Sequence, residues 1–334
     1  MKITLLILVI GYLTIGCQTL PSGERGYDAN LSQVEYPFPV HFLPIDSQQQ
    51  QLNIAYMYQK PLLQSKGTVL LLHGKNFNAA YWEDTANVLL AQGYAVVIPD
   101  QIGFGKSSKP EHYAYSFHTF AEQTMQIVDT LDIDTLTVVG HSMGGMLATR
   151  FSLMYPNRVN KLILVNPIGL EDYSYYAKPK DINFFFESEK SKKIENIIAY
   201  QRKNYYDGQW NDKYESLTDI HRGWIEGPDW SLMAWNNALT YAPIFNEPVV
   251  HELQNLTIDL HLILGTRDRT GPGRNWAFED NQYELGRYDL LGKALQKKHP
   301  NIITLYELEG LGHLPQVEDL DRFTHTFLQA LDAD

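Results

Sequence analysis

TLTVVGHSMGGMLATRF, residues 135–151, runs from a short apolar stretch through Gly-His-Ser-Met-Gly-Gly into a pattern typical of a helix. Gly140, Ser142 and Gly144 fit the arrangement G-x-S-x-G, in which a sharp turn between a strand and a helix exposes the serine hydroxyl. Glycine at both flanking positions avoids collisions across such a turn, and Gly145 lets the helix approach the sheet closely. The stretch therefore predicts that Ser142 is an exposed nucleophile on a strained backbone.

The surrounding chain alternates between short, almost wholly apolar runs and amphipathic helical patterns. Such runs suit strands that are buried on both faces of a parallel sheet. Their alternation with helices indicates an α/β domain with a mostly parallel central sheet and helices on both faces. The apolar runs are GTVLLLHG, YAVVIPD, LTVVGHS, KLILVNP, DLHLILG and IITLYEL.

A serine hydroxyl is a weak nucleophile unless a base, itself oriented by an acid, stands beside it. His313 follows the apolar run IITLYEL, and Asp268 follows LILG. The chain order Ser142, Asp268, His313 is the one expected when a G-x-S-x-G turn lies in such a sheet. We therefore predict that Ser142 is the nucleophile, His313 the base and Asp268 the acid.

With this elbow and this order of residues, the sequence resembles the capped serine hydrolases of the α/β-hydrolase fold, over about residues 35–334. In that family the acid can also follow the strand before the usual one. Here that position holds Asn166, which carries no charge and cannot replace Asp268. The family's dehalogenases and epoxide hydrolases use Asp as the nucleophile, and Ser142 argues against both.

The resemblance also implies an oxyanion hole. In similar enzymes the backbone N–H after a His-Gly pair faces the nucleophile, and after His73-Gly74 this N–H belongs to Lys75. The second donor is the N–H of Met143. Two such donors stabilise the tetrahedral oxyanion, and losing one typically costs about 2.7–4 kcal/mol. No metal or organic cofactor is expected, because the histidines are scattered and the chain has 1 cysteine.

Residues 171–255 interrupt the alternation, because they contain no strand-like run and hold four of the six tryptophans. We predict a helical cap inserted into a core formed by residues 35–170 and 256–334. A crossover at the carboxyl end of a strand is where such sheets bind ligands, so cap tryptophans such as Trp224 and Trp235 are expected to set substrate choice. The alternative is a surface excursion whose aromatic residues only pack on the core.

The N-terminus, MKITLLILVIGYLTIGC, has one Lys followed by a short apolar stretch and small residues. Residues 1–16 are predicted to be a signal peptide, since they are too short to span a membrane comfortably. LTIGC resembles a bacterial lipoprotein processing site, which implies that Cys17 is lipidated and that the exported protein is anchored to a membrane, facing the periplasm or the exterior. Residues 17–34 are polar and turn-rich and suit a tether. The alternative is an ordinary signal peptide in which Cys17 is incidental.

A formal net charge of -12 at pH 7 disfavours nucleic acid as a partner.

The elbow, the triad order and the aromatic cap together predict a serine hydrolase that cleaves a carboxylic ester of a small to medium, largely apolar substrate. Amide or C–C bond hydrolysis on the same triad is an alternative, because the carbonyl chemistry is shared. A protein that keeps the fold but only binds a ligand is the alternative from another class.

Overall fold

The computed structural model describes residues 26–333. The predicted signal peptide and Cys17 lie outside the described residues. The strands are β1 (Val40–Ser47), β2 (Gln50–Gln59), β3 (Thr68–Leu72), β4 (Ala95–Pro99), β5 (Leu136–His141), β6 (Val159–Val165), β7 (Leu260–Gly265) and β8 (Ile303–Leu308). The helices are α1 (Glu83–Ala91), α2 (Phe117–Thr130), α3 (Met143–Met154), α4 (Ile182–Lys190), α5 (Ile194–Asn204), α6 (Asp212–Ser216), α7 (Asp219–Glu226), α8 (Trp230–Leu239), α9 (Tyr241–Asn246), α10 (Tyr288–Lys298), α11 (Pro315–Glu318) and α12 (Leu320–Asp332).

The strands form one sheet of 8 strands in the order β1-β2-β4-β3-β5-β6-β7-β8. The β1–β2 and β2–β4 pairs are antiparallel, and all other neighbours are parallel. Strands β4 and β7 are buried along their whole length, which explains why they read as continuous apolar runs. The predicted α/β class with a mostly parallel sheet is confirmed.

Helices cover both faces of the sheet, and the sheet divides the apolar core into two parts. On one face, Phe120 of α2 and Phe151 of α3 pack in the larger apolar cluster. On the other face, Leu89 of α1 and Phe327 of α12 pack in the second cluster. Because β3, β5, β7 and β8 run parallel, their carboxyl ends meet at one edge of the sheet, where ligands bind in folds of this kind.

The segment between β6 and β7 is helical and carries α4 to α9. Within residues 171–255, which we call the cap, the described backbone contributes no strand to the sheet. An isolated bridge joins Ala177 to Ala277, which lies in the loop after β7. None of the helices in residues 26–333 is long and apolar enough to span a lipid bilayer.

The structure differs from the sequence interpretation in the second half of the predicted tether. Residues 27–34, which we call the strap, pack on the cap. The amide of Tyr27 donates to the carbonyl of Gly223 at 2.7 Å, and the indole of Trp224 donates to the carbonyl of Asp28 at 3.1 Å.

One apolar residue explains why the strap docks. Leu31 has 0% of its surface exposed and clusters with Trp224 and Met233 of the cap. Burying this side chain favours a fixed position over an extended linker. Its polar neighbours, which suggested a tether, form the turn that inserts Leu31: Asp28 accepts hydrogen bonds from the amides of Asn30 and Ser32.

Candidate active site

Ser142 lies between the end of β5 and the start of α3 with φ 56° and ψ −121°. A positive φ is unfavourable for a residue with a side chain, so the turn is strained at the serine. The positions on either side of the serine in the motif have no room for a side chain. A Cβ on Gly140 would lie 2.2 Å from the carbonyl oxygen of Gly144, and one on Gly144 would lie 2.2 Å from that of Leu72. The backbone of the elbow therefore has the geometry that the G-x-S-x-G pattern predicts, but Ser142 is buried rather than exposed as the sequence predicted.

The structure brings the three predicted triad residues together. The Ser142 hydroxyl lies 3.0 Å from Nε2 of His313, and Nδ1 of His313 lies 2.7 Å from Oδ2 of Asp268. Asp268 is 0% exposed, His313 1% and Ser142 8%. A proton on Nδ1 that faces the carboxylate leaves Nε2 free to accept the serine proton. The hydrogen-bonded order is the one needed for nucleophilic catalysis by a serine.

Asp268 is held by more than the histidine. Its carboxylate accepts hydrogen bonds from the side-chain amide of Asn166 at 2.9 Å and from the amide of Thr270 at 2.8 Å. Burial by itself raises the pKa of the Asp268 carboxyl, but His313 and these hydrogen bonds outweigh it and hold the pKa below its usual range. The carboxylate is therefore ionised at neutral pH.

Asn166 has a role that sequence reasoning did not assign. Its side-chain oxygen accepts a hydrogen bond from the amide of Gly265 at 2.9 Å while its amide group binds Asp268. It thus joins the end of β6 to the end of β7 and orients the carboxylate. The available signal was an amide residue at the strand end next to the acid, which the sequence argument used only to exclude a competing carboxylate.

His141 occupies the first unspecified position of the G-x-S-x-G motif, just before Ser142. It connects the elbow to the loop that carries His313. Its Nε2 lies 2.8 Å from the carbonyl oxygen of His313 and its Nδ1 lies 2.9 Å from the hydroxyl of Tyr81. Burial, and secondarily the charge of His313, lowers the pKa of His141 to about 3. The imidazole is therefore neutral, donates from Nε2 and accepts at Nδ1, so it positions His313 without titrating in the working range.

The two residues predicted to supply the oxyanion donors, Lys75 and Met143, each follow a residue that lies at the elbow: Gly74 and Ser142. A Cβ on Gly74 would sit 3.1 Å from the Cβ of Ser142, so the loop that carries Lys75 touches the serine. Met143 is the first residue of α3, and the N–H of a first helical residue has no acceptor within its helix. The predicted role of the two amides therefore stays a prediction.

The cap lies against the candidate triad. The ring of Tyr205, the residue after α5, lies 5.0 Å from the ring of His313 at an interplanar angle of 32°. Tyr205 is 2% exposed, and the side chain of Asn76, in the loop after β3, lies close to its hydroxyl. Sequence reasoning missed Tyr205, because the aromatic enrichment of the cap did not show which ring faces the site.

The tryptophans that the sequence singled out have other contacts. Trp224 packs against Leu31 of the strap, and the indole of Trp235 donates to the carbonyl of Glu111 at 2.6 Å. Both hold the cap to neighbouring segments, so the expectation that they set substrate choice is not supported. Within residues 26–333, no group of three or more His, Cys, Asp or Glu side chains is arranged to hold a metal ion.

Comparison with known proteins agrees with this architecture. Residues 67–242, more than half of the chain, match the family described as the alpha/beta hydrolase fold. The chain belongs to this family of α/β-fold hydrolases.

Among solved structures, a probable hydrolytic enzyme from Pseudomonas aeruginosa PAO1 is 40% identical, with a TM-score of 0.89 over 92% of this chain and 99% of that chain. An esterase from Exiguobacterium antarcticum has a TM-score of 0.65 over 87% of this chain and 99% of its own, but at 20% identity it shares the fold alone.

A curated relative from Pseudomonas putida, 2-hydroxy-6-oxo-2,4-heptadienoate hydrolase, is 31% identical over 159 residues, which are 45% of this chain and 55% of that protein. The matched region spans about a quarter to about half of the length of these curated relatives.

Proposed function

We propose that the protein is a serine hydrolase that cleaves a carboxylic ester through an acyl-enzyme intermediate. The observation that carries the proposal is the hydrogen-bonded series Ser142–His313–Asp268 at a strained elbow. The ionised Asp268 and the neutral His141 hold His313 in the tautomer and position that this chemistry needs.

The reaction has two stages. In the first, Oγ of Ser142 attacks the ester carbonyl carbon while Nε2 of His313 takes the hydroxyl proton, and the proton then passes to the leaving alcohol as the C–O bond breaks. In the second, His313 takes a proton from water, which attacks the acyl carbon, and Ser142 recovers its proton as the acid leaves. The amides of Lys75 and Met143 would stabilise the oxyanion in both stages.

The closed cap supports an enclosed substrate of small to medium size. Tyr205 presents an aromatic face beside His313 and carries a hydroxyl, which would give the site an apolar wall with a polar atom. That mixture is usual for pockets that bind small molecules. We infer that Tyr205, rather than Trp224 or Trp235, contributes to the choice of acyl or alcohol group.

A labelling experiment tests the catalytic role of Ser142. The purified protein is treated with a fluorophosphonate probe and, separately, with a p-nitrophenyl ester of a short acyl chain. We expect labelling and turnover in the wild type, and neither in Ser142→Ala. His313→Ala should lose turnover in the same way while the far-UV spectrum is retained. Labelling of Ser142→Ala, or an inert wild type, would remove the hydrolase proposal and leave ligand binding as the alternative.

C–C bond hydrolysis is the second candidate reaction. The compound in the name of the Pseudomonas putida relative carries a ketone and a carboxylate but no ester. The same triad can act on a ketone carbonyl, so the two reactions are compared on one preparation, with an ester and a vinylogous 1,5-diketone acid as substrates. Faster turnover of the diketone would favour C–C hydrolysis over ester cleavage.

We also propose that the protein is exported and lipid-anchored through Cys17. The sequence LTIGC at residues 13–17 supports this proposal. Lipidation by more than one acyl chain would make membrane association stable, since a single chain gives only marginal binding.

A further inference from the structure

The side chain of Lys75 leaves the oxyanion loop and enters the cap. Its ammonium donates a hydrogen bond to the carbonyl oxygen of Asn237 in α8 at 2.8 Å. It also lies 4.0 Å from the centroid of the Tyr241 ring at the start of α9, within the range of a cation–π interaction. One residue thus supplies a predicted oxyanion donor through its backbone and a contact with two cap helices through its side chain.

The cap surrounds this ammonium with other polar groups. Glu189 of α4 is 2% exposed and accepts hydrogen bonds from the hydroxyl of Tyr241 at 2.9 Å and from the ammonium of Lys192 at 2.7 Å. His221 of α7 has a buried Nδ1 without a hydrogen-bond partner among the described residues. The titratable groups that face Lys75 are therefore Glu189, Lys192, His221 and Tyr241.

This position is unfavourable for a charge. Burial lowers the pKa of Lys75 to about 8. The negative charge of Glu189 raises the pKa in part, and the positive charge of Lys192 lowers it further. Glu189 is already paired with Lys192. The direct partners of the Lys75 ammonium are therefore the carbonyl oxygen of Asn237 and the ring of Tyr241. A buried cation of this kind often contributes less to stability than an apolar side chain of the same volume. A group that weakens the fold at the edge of a catalytic site is a candidate for a functional role.

We propose that Lys75 is a positioning residue that fixes its own backbone N–H against the oxyanion by docking its ammonium on Asn237 and Tyr241 of the cap. The inference rests on the proposed function. Gly74 lies against Ser142, and the side chain of the next residue, Lys75, ties the loop to the cap. In this proposal, the contact of Lys75 with the cap and the position of its N–H in the oxyanion hole depend on each other.

The titration of Lys75 should separate activity from stability. As the pH rises through about 8, the ammonium loses its charge and its cation–π contact, so we expect kcat to fall. Stability should change in the opposite direction. In the unfolded chain the lysine titrates near about 10.4, so between the folded and unfolded pKa values the unfolded state binds more protons, and stability rises with pH.

Three variants test the inference in the full-length protein. Lys75→Met removes the charge and keeps the aliphatic stem, and Lys75→Arg keeps a cation at every accessible pH. Lys109→Met is the matched control. Lys109 is a second buried lysine, whose pKa burial lowers to about 7, and its ammonium donates to the carbonyl of Ser107 at 2.6 Å in a loop that carries none of the proposed catalytic groups.

We expect Lys75→Met to lower kcat by about 10- to 100-fold, less than the full loss of an oxyanion donor. Its KM should stay within about threefold, its Tm at pH 7 should be equal or higher, and kcat should no longer fall above pH 8. The rate of fluorophosphonate labelling should decrease in parallel, because phosphonylation uses the same oxyanion hole. Lys75→Arg should keep most of kcat and lose the alkaline decline. Lys109→Met should keep both the wild-type kcat and the decline.

Wild-type kcat in Lys75→Met would overturn the inference, and so would an alkaline decline that persists in that variant. A loss of kcat that only follows a loss of folded protein would show that Lys75 is structural. The proposed function is judged separately, by whether Ser142 of the wild type reacts with the fluorophosphonate at all.

Discussion

Among single residues, the candidate site depends on buried polar groups that are all paired. Asp268 stays ionised although it is fully buried, because it accepts hydrogen bonds from His313, Asn166 and Thr270. His141 stays neutral, because burial disfavours its charge and both ring nitrogens have partners. One residue is held charged and the other uncharged, so in the proposed reaction His313 is the residue that carries the proton.

Replacing the triad acid should remove most of the activity. Asp268→Asn presents an amide to Nδ1 of His313 and favours the tautomer in which Nε2 cannot accept the serine proton. We expect kcat to fall by as much as about 10⁴-fold, measured on a p-nitrophenyl ester, with little change in the far-UV spectrum.

A second Asp–His pair provides the control. The carboxylate of Asp172 lies 2.8 Å from Nε2 of His251, outside the triad, and is 7% exposed. Asp172→Asn should leave kcat close to that of the wild type. If Asp268→Asn keeps more than about a tenth of the activity, a barrier change below about 1.4 kcal/mol, Asp268 is not the acid.

At the junction of β5 and α3, glycines decide whether the elbow can form. The helix approaches β3 so closely that Gly144 has no room for a Cβ: the carbonyl oxygens of Leu72 and His73 would lie 2.2 and 2.7 Å away. Both obstacles are backbone atoms of a central strand and its loop, and they cannot rotate away as a side chain would.

Gly144→Ala should therefore displace α3 and with it the nucleophile. We expect a loss of at least about 1–3 kcal/mol in the free energy of unfolding, measured by chemical denaturation, together with a loss of ester turnover. Gly67→Ala is the control, because a Cβ there would meet only the Tyr94 ring at 3.8 Å. A Gly144→Ala variant with wild-type stability and turnover would contradict the packing described for the elbow.

In the molecule as a whole, the cap is held from two sides. The strap packs on α7 and α8 through Leu31, and Lys75 reaches the cap from the loop beside the nucleophile. The strap also contacts the core, because the ammonium of Lys106 donates to the carbonyl of Leu31. The N-terminal segment thus joins the two parts of the fold.

Leu31→Ala tests the contribution of the strap to stability. Deleting a fully buried leucine side chain typically costs about 2–5 kcal/mol, and we expect a loss in that range by denaturant unfolding. Leu62 is the matched control, since it is 105% exposed and Leu62→Ala should change stability by less than about 0.5 kcal/mol. Equal effects of the two variants would mean that the strap does not dock on the cap in solution.

Membrane association is tested at Cys17. Cys17→Ser should move the protein from the membrane fraction to the soluble exported fraction, because the site of acylation is lost, while kcat on a short ester stays unchanged. A variant that remains with the membranes would remove the lipid anchor. The eight residues 18–25 can reach at most about 30 Å, so an anchor at Cys17 would keep the cap close to the bilayer.

Much of the fold and the triad could be predicted from the sequence, because their signals are local. Apolar runs mark buried strands, and G-x-S-x-G marks a sharp turn between a strand and a helix. The proximity of Asp268 and His313 was predictable because each lies in the loop after a strand, and parallel strands end at one edge of the sheet. These inferences need only short-range patterns and the topology that the patterns imply.

Only the tertiary structure decided which distant groups meet. Asn166 binds Asp268, His141 binds the His313 loop, and Lys75 binds Asn237. Tyr205 also contacts His313, and Leu31 packs with Trp224. Each pair is separated by many tens of residues, and whether two such side chains meet depends on how helices pack and loops turn. Composition showed that the cap is aromatic, but the direction of each ring depends on helix packing, which leaves no local trace in the sequence.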